Sequence, residues 1–195
     1  MPITKAIDAA ERINDRLSRI LAGEYPDDRQ VTIPAAYLNL SLDHHKAIIL
    51  LFRINLCGSG LALVRSVFEA MLRAHWVVGC AKPTEVDQVA ENPDFDVMAR
   101  VDADHIDEAF QTDEFFRRAK KDAWKAMNDY THSGLGQLSR QFSRGRIEAS
   151  YADEDLLEGL RASTASVLLL GYLLAKKTGR NEQAEEIKEL FNQVP

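Results

Sequence analysis

The sequence predicts an all-α fold: a four-helix-bundle core with peripheral helices added to it. Three observations carry this expectation. Apolar residues recur at helical spacing through several long segments. Those segments start at capping residues or Pro and stop at Gly. No stretch alternates apolar and polar residues convincingly enough to be a strand. The 195 residues fit one domain, 1–195, with an N-terminal helix in 1–23, a bundle core over 33–175 and a C-terminal helix in 181–193.

Residues 58–81 organise the rest. On a helical wheel they are apolar on nearly every side, through Leu61, Leu63, Val64, Val67, Phe68, Met71, Leu72, Trp76, Val77 and Val78. A helix hydrophobic all round is normally wrapped by others. Its exception is one narrow stripe, Arg65, Glu69 and Arg73. Burying such charges costs several kcal/mol per ion unless they are paired. The stripe is therefore either a structural ion-pair ladder or one wall of a functional cleft.

The other elements follow in order. Residues 3–22 place Ile7, Ala10, Ile13, Leu17, Ile20 and Leu21 on one face, and Gly23 ends the helix. After a turn over 24–30, Pro34 is placed to open a second helix, 35–56. The link Cys57-Gly58-Ser59-Gly60 is short enough to make it an antiparallel neighbour of the central helix. A short helix is expected over 84–91, and a loop or second short helix over 95–101. Thr112 is a candidate N-cap for a helix running to 131 and stopped by Ser133-Gly134. Residues 135–142 read as one or two further turns. Asp153 is placed to cap a long helix, 154–177, and Asn181 a last one, 182–191.

Composition bounds the function classes. Hydrophobic content of 46% with 28% charged residues is ordinary for a globular chain. The first 30 residues are charged and amphipathic, and the apolar run 167–175 is too short to span a bilayer. A cytoplasmic protein with no membrane partner is expected. Cys57 and Cys80 read as reduced, buried thiols, too few for a zinc site. A net charge of −6 argues against non-specific coating of nucleic acid. The charge is uneven, however. Residues 82–114 hold eleven acids against Lys82 and Arg100, and residues 117–146 hold eight bases against Asp122 and Asp129. An anionic ligand near the basic part and acid–base pairing within the fold both explain this.

The candidate chemistry centres on His132, at the C-terminal end of its helix, where the dipole favours the imidazolium. Asn128 and Trp124 share its face, and Lys121 and Lys125 lie nearby. Alternatively, His132 only bonds its own last carbonyls. In the stripe, Arg65 or Arg73 suits bidentate oxyanion recognition, and Glu69 is counted with them as a catalytic candidate. His44 is placed to reach a cleft bounded by Glu69 and His132, the three together making an alternative metal trio, whereas adjacent His45 points about 100° away. Histidine and carboxylate do not share the spacing of helical metal sites, so no metal and no other cofactor is expected. His75 reads as a core histidine. No Gly-rich phosphate loop or nucleophile elbow is present.

The Gly-linked helix pair, the run LALVRSVFEAMLRAHW and a helix ending WKAMNDYTHSG together resemble the HEPN superfamily (higher eukaryotes and prokaryotes nucleotide-binding) across about residues 38–174. The resemblance implies a four- to five-helix bundle, a homodimer, and in many members a metal-independent ribonuclease of toxin–antitoxin or phage-defence systems. It implies an Arg followed after four to six residues by a His, with two such motifs meeting across the dimer. Here the window before His132 has Lys125 and Asn128 but no Arg. A literal match, Arg100-Val-Asp-Ala-Asp-His105, lies among acids that repel RNA phosphates and lacks a polar neighbour after the Arg. What the resemblance implies is a ribonuclease-type toxin or defence effector. His132 would be the general base, Arg65 or Arg73 would clamp the phosphate, and Lys125 and Asn128 would position RNA. The alternative it leaves open is a non-catalytic module binding a nucleotide, RNA or a partner such as an antitoxin protein.

Overall fold

The computed structural model describes residues 2–143 and 145–195. Among these the elements are α1 (Ile3–Ile20), α2 (Arg29–Arg53), α3 (Cys57–Gly79), α4 (Pro83–Glu91), α5 (Ala103–Phe110), α6 (Phe115–Thr131) and α7 (Leu135–Ser139). They are followed by β1 (Phe142–Ser143), β2 (Arg146–Ile147), α8 (Asp153–Lys177), α9 (Asn181–Leu190) and a closing 3-10 turn. The fold is all-α, as the periodicity predicts.

α3 is the central element. It buries Leu61, Val64, Val67, Phe68, Met71, Leu72, Trp76 and Val77, and packs on α2, α5, α6 and α8. At roughly 1.5–3 kcal/mol for each large apolar side chain, this burial outweighs the desolvation of its polar stripe. α1 covers α2 and α8, and α9 lies on α8 and α1. Gly60 lies where a Cβ would strike the Phe52 ring, and Gly58 where one would strike the Tyr151 hydroxyl. These two glycines, which lie in the first turn of α3, therefore serve close packing rather than phosphate binding. α8 is long and apolar enough to cross a membrane by length and composition, a property the run 167–175 alone lacks. Here 61% of its most apolar stretch is buried against other helices.

Several boundaries differ from expectation, each for a physical reason. α2 starts at Arg29 because the Asp28 carboxylate accepts the Gln30 amide at 2.9 Å. Pro34 thus sits buried inside the helix, where it removes the bond to the Gln30 carbonyl and crowds that oxygen. The link to α3 is Ile54–Leu56, with Asn55 in a left-handed conformation at φ 59°. Residues 95–101 form turns, and the helix comes after them as α5, capped by Asp102 at Asp104 N. Thr112 does not cap α6. Asp107, on α5, reaches across and accepts from Phe116 N and Arg117 N at 2.9 Å and from Thr112 Oγ1 at 2.6 Å. Burial pushes the Asp107 pKa up, but these donors outweigh it and hold the carboxyl below its ordinary value. Asp153 and Asn181 are the first residues of α8 and α9, one position inside the caps. The short β1–β2 hairpin, Phe142 opposite Ile147, was not expected at all.

His45 closes a polar chain within the core. Its Nδ1 donates to Asn14 Oδ1 at 2.8 Å, and its Nε2 accepts from Thr164 Oγ1 at 3.0 Å. Burial, with a smaller push from Lys46, lowers its pKa to about 3, so the ring is neutral. His75 is also a core residue, as expected, with Nδ1 donating to the Met71 carbonyl at 2.8 Å.

Candidate functional site

His132 caps the C-terminus of α6, whose backbone is turned by Ser133 at φ 52°. Gly134 N bonds Asp129 O at 2.8 Å, the six-to-one bond of a Schellman ending. Thr131 Oγ1 reaches Ala62 O on α3 at 3.3 Å and so fixes this helix end beside the stripe. The consequence is direct contact. Arg65 Nη1 lies 2.8 Å from His132 Nε2, while Arg65 Nε donates to Glu69 Oε1 at 2.6 Å. Arg73 Nη2 donates to the other Glu69 oxygen at 3.0 Å. Glu69 thus holds both arginines, and only Arg65 passes the chain on to the histidine.

A guanidinium only donates hydrogen bonds, so Nε2 is the acceptor of this contact.

These groups open onto a cleft of about 1040 Å³ between α3, α6 and α7. Arg65, Trp124, Lys125, Asn128 and His132 line it. The Arg65 guanidinium stacks over Trp124 at 4.9 Å, and Lys120 approaches the same ring system at 5.4 Å. Asn128 Oδ1 is enclosed without a hydrogen-bond partner among the described residues. Lys121 lies outside the cleft, on an adjoining shelf shared with Lys120, Trp124 and Lys125. Lys120, Lys121 and Lys125 have no carboxylate within salt-bridge distance among the described residues. Arg117 and Arg118, by contrast, pair with Asp104, Glu114 and Asp113. The uneven charge is thus partly neutralised across the acidic and basic segments, and a lysine patch remains beside the cleft.

Three candidates fall elsewhere. His44 does not line the cleft, to which α2 contributes no residue. Arg73 stops at Glu69 and does not reach His132. The trio His44, Glu69 and His132 is not gathered, since Arg65 stands between the last two, and no group of three potential metal ligands occurs among the described residues.

Sequence reasoning missed Asp129, Leu135 and Arg140, which line the cleft together with Tyr130. Asp129 accepts Gly136 N at 3.2 Å and Gln137 N at 2.8 Å, tying the start of α7 to the end of α6. The close pair Gly134 and Gly136 was the signal, because a Cβ at either would strike that carboxylate. Arg140 makes a two-pronged bond to Asp155, at 2.9 and 2.7 Å, and lies over Tyr130. That pairing lowers the Asp155 pKa despite its partial burial. Nothing local in the sequence joins residues 140 and 155.

A model described as a family of unknown function, DUF6988, matches residues 38–194, and the chain belongs to that family. The description assigns no activity and makes no tie to HEPN domains. No curated protein and no solved structure matches the chain.

Proposed function

We propose that this DUF6988 member is an HEPN-like, metal-independent ribonuclease, with the Arg65–His132 contact as its reaction centre. The observation that supports this reading is that 2.8 Å contact in the lining of a cleft bordered by lysines that have no carboxylate partner among the described residues. An arginine and a histidine in contact supply the two things RNA cleavage needs, a base and a phosphate clamp. The arginine comes from α3, 67 positions before the histidine, instead of from the same helix.

Arg65 keeps its Nε on Glu69 while its outer nitrogens turn to the scissile phosphate. That frees His132 Nε2 to take the proton of the ribose 2′-hydroxyl. The 2′-oxygen bonds to phosphorus, the bond to the 5′-oxygen breaks, and the departing oxygen takes a proton from the imidazolium. The products are a 2′,3′-cyclic phosphate and a 5′-hydroxyl. Lys125 and Asn128 position the backbone, Lys120 and Lys121 extend the basic track, and Trp124 offers a ring to a base. The homodimer, the toxin or defence role and an antitoxin partner rest on the resemblance alone. The cytoplasmic setting rests on the sequence.

Purified protein in EDTA should cut single-stranded RNA, leaving cyclic phosphate ends. His132→Ala and Arg65→Ala should each slow it by about a hundredfold or more. Absence of cleavage, or undiminished cleavage by the His132 variant, contradicts the proposal.

One observation favours a second reading, a module that binds RNA or nucleotide without turnover. The lone pair a base requires is already occupied by Arg65. On that reading Arg65→Ala abolishes binding in a calorimetric titration, and no product forms with any variant.

A further inference from the structure

A second cavity, of about 630 Å³, lies where the end of α5 and the start of α6 cross over α3 and α8. It shares no residue with the cleft. Phe110, Phe116, Leu169 and Leu173 make its walls apolar, and Phe115 remains exposed at its edge. A volume of this size suits a small organic molecule.

Its polar lining is His75, Thr112, Asp113, Arg118, Tyr172 and Lys176, which grade from buried to exposed. At the buried end is His75, only 5% exposed and held between the rings of Phe110 and Phe116. Its Nδ1 proton is committed to the Met71 carbonyl, so Nε2 is a bare acceptor. Nε2 makes no hydrogen bond among the described residues, yet it is not one of the two fully enclosed unpaired polar atoms, Ser41 Oγ and Asn128 Oδ1. It therefore opens onto the cavity. Burial lowers the His75 pKa to about 4, against a smaller opposing effect of the Met71 bond, which keeps the ring neutral. Toward solvent stand Arg118 and Lys176.

We propose that this cavity binds a small amphipathic anion. Its body is aromatic or branched, its inner end carries a hydroxyl or N–H donor for His75 Nε2, and its outer end carries a carboxylate or phosphate for Arg118 and Lys176. A purely apolar occupant, such as a helix face from a second copy, leaves Nε2 desolvated and unpaired, at a cost of about 1–3 kcal/mol. A donor-bearing ligand removes that cost. Asp113, which pairs with Arg118, biases the mouth toward a single negative charge rather than several.

The test uses 3-(4-hydroxyphenyl)propionate, its analogue lacking the hydroxyl, and its uncharged amide, each titrated into the full chain and followed by amide NMR. The hydroxylated acid should bind saturably, with a dissociation constant on the order of 0.1–1 mM. Removing the hydroxyl or the charge should each weaken binding by about fivefold or more. Arg118→Gln/Lys176→Gln should erase the preference for acid over amide, and His75→Phe the preference for the hydroxyl. Leu169→Trp, which fills the space from a partly exposed position, should abolish binding in a chain whose spectrum stays folded. The proposal is overturned if no probe gives saturable shifts at about 10 mM, or if Leu169→Trp leaves affinity unchanged. It is equally overturned if Leu169→Trp instead dissociates an oligomer seen in sedimentation, because a second copy then fills the cavity.

Discussion

Two histidine-centred polar chains run through this molecule, and they differ in what surrounds them. In the core, His45 links Asn14 on α1 to Thr164 on α8, with no accessible surface on the ring residue or Thr164. At the cleft, Arg65 links Glu69 to His132, and the histidine is exposed. The first chain has one neutral donor for each neutral acceptor. Nothing in it can move without leaving a buried group unpaired. The second contains two cations on one carboxylate and a histidine whose partner can be traded for a substrate. Burial, rather than residue type, separates a histidine that locks helices together from one positioned for chemistry.

That contrast predicts effects of different size. His45→Leu leaves Asn14 and Thr164 unpaired in the core, and should destabilise the chain by about 3 kcal/mol in urea unfolding. His132→Ala should cost less than about 1 kcal/mol. Equal losses would erase the distinction.

The pH dependence sharpens it. The folded pKa values of His45 and His75, about 3 and about 4, lie below the ordinary 6.5. The folded state therefore binds fewer protons than the unfolded one in that window. Their stabilisation is complete above about pH 6.5 and is lost as the pH falls toward the folded values, at up to about 1.4 kcal/mol per unit for each ring. Unfolding free energies measured from pH 7 to 5 should decline accordingly. His45→Gln should flatten the decline.

Next in size is Asp107→Asn, which weakens the clasp that starts α6. A loss of about 1–2 kcal/mol is expected, with faster amide exchange in the first turn of α6. Of similar size is Glu69→Gln, which removes the charge shared by two partly buried arginines. It should cost about 1–2 kcal/mol, while loosening Arg65 enough to lower cleavage measurably.

Much of this was legible in the sequence. The periodicity of residues 58–81 identified the central helix, and the stripe Arg65, Glu69 and Arg73 stood out because charge is costly on so apolar a surface. The position of His132 at a helix end was equally plain. What periodicity misses is coupling between elements. α5 is only eight residues long, too short for a clear apolar period, and the cap of α6 comes from Asp107, nine positions before Phe116. The assignment of His44 to the cleft failed because a helical wheel gives a residue's side but not which neighbour lies on that side. Arg140 and Asp155 meet only because α7 folds back onto α8. That Arg65 and not Arg73 reaches His132 was set by the docking of α6, which no local pattern encodes.

The most direct test of the central claim is RNA cleavage in EDTA by the parent, Arg65→Ala and His132→Ala proteins, all matched for folded content. If Arg65 and His132 form one reaction centre, the parent yields 2′,3′-cyclic phosphate ends. Each single variant then loses about a hundredfold or more, and the double variant loses little beyond either one. Cleavage that survives loss of His132, or losses that simply multiply in the double variant, would contradict the account.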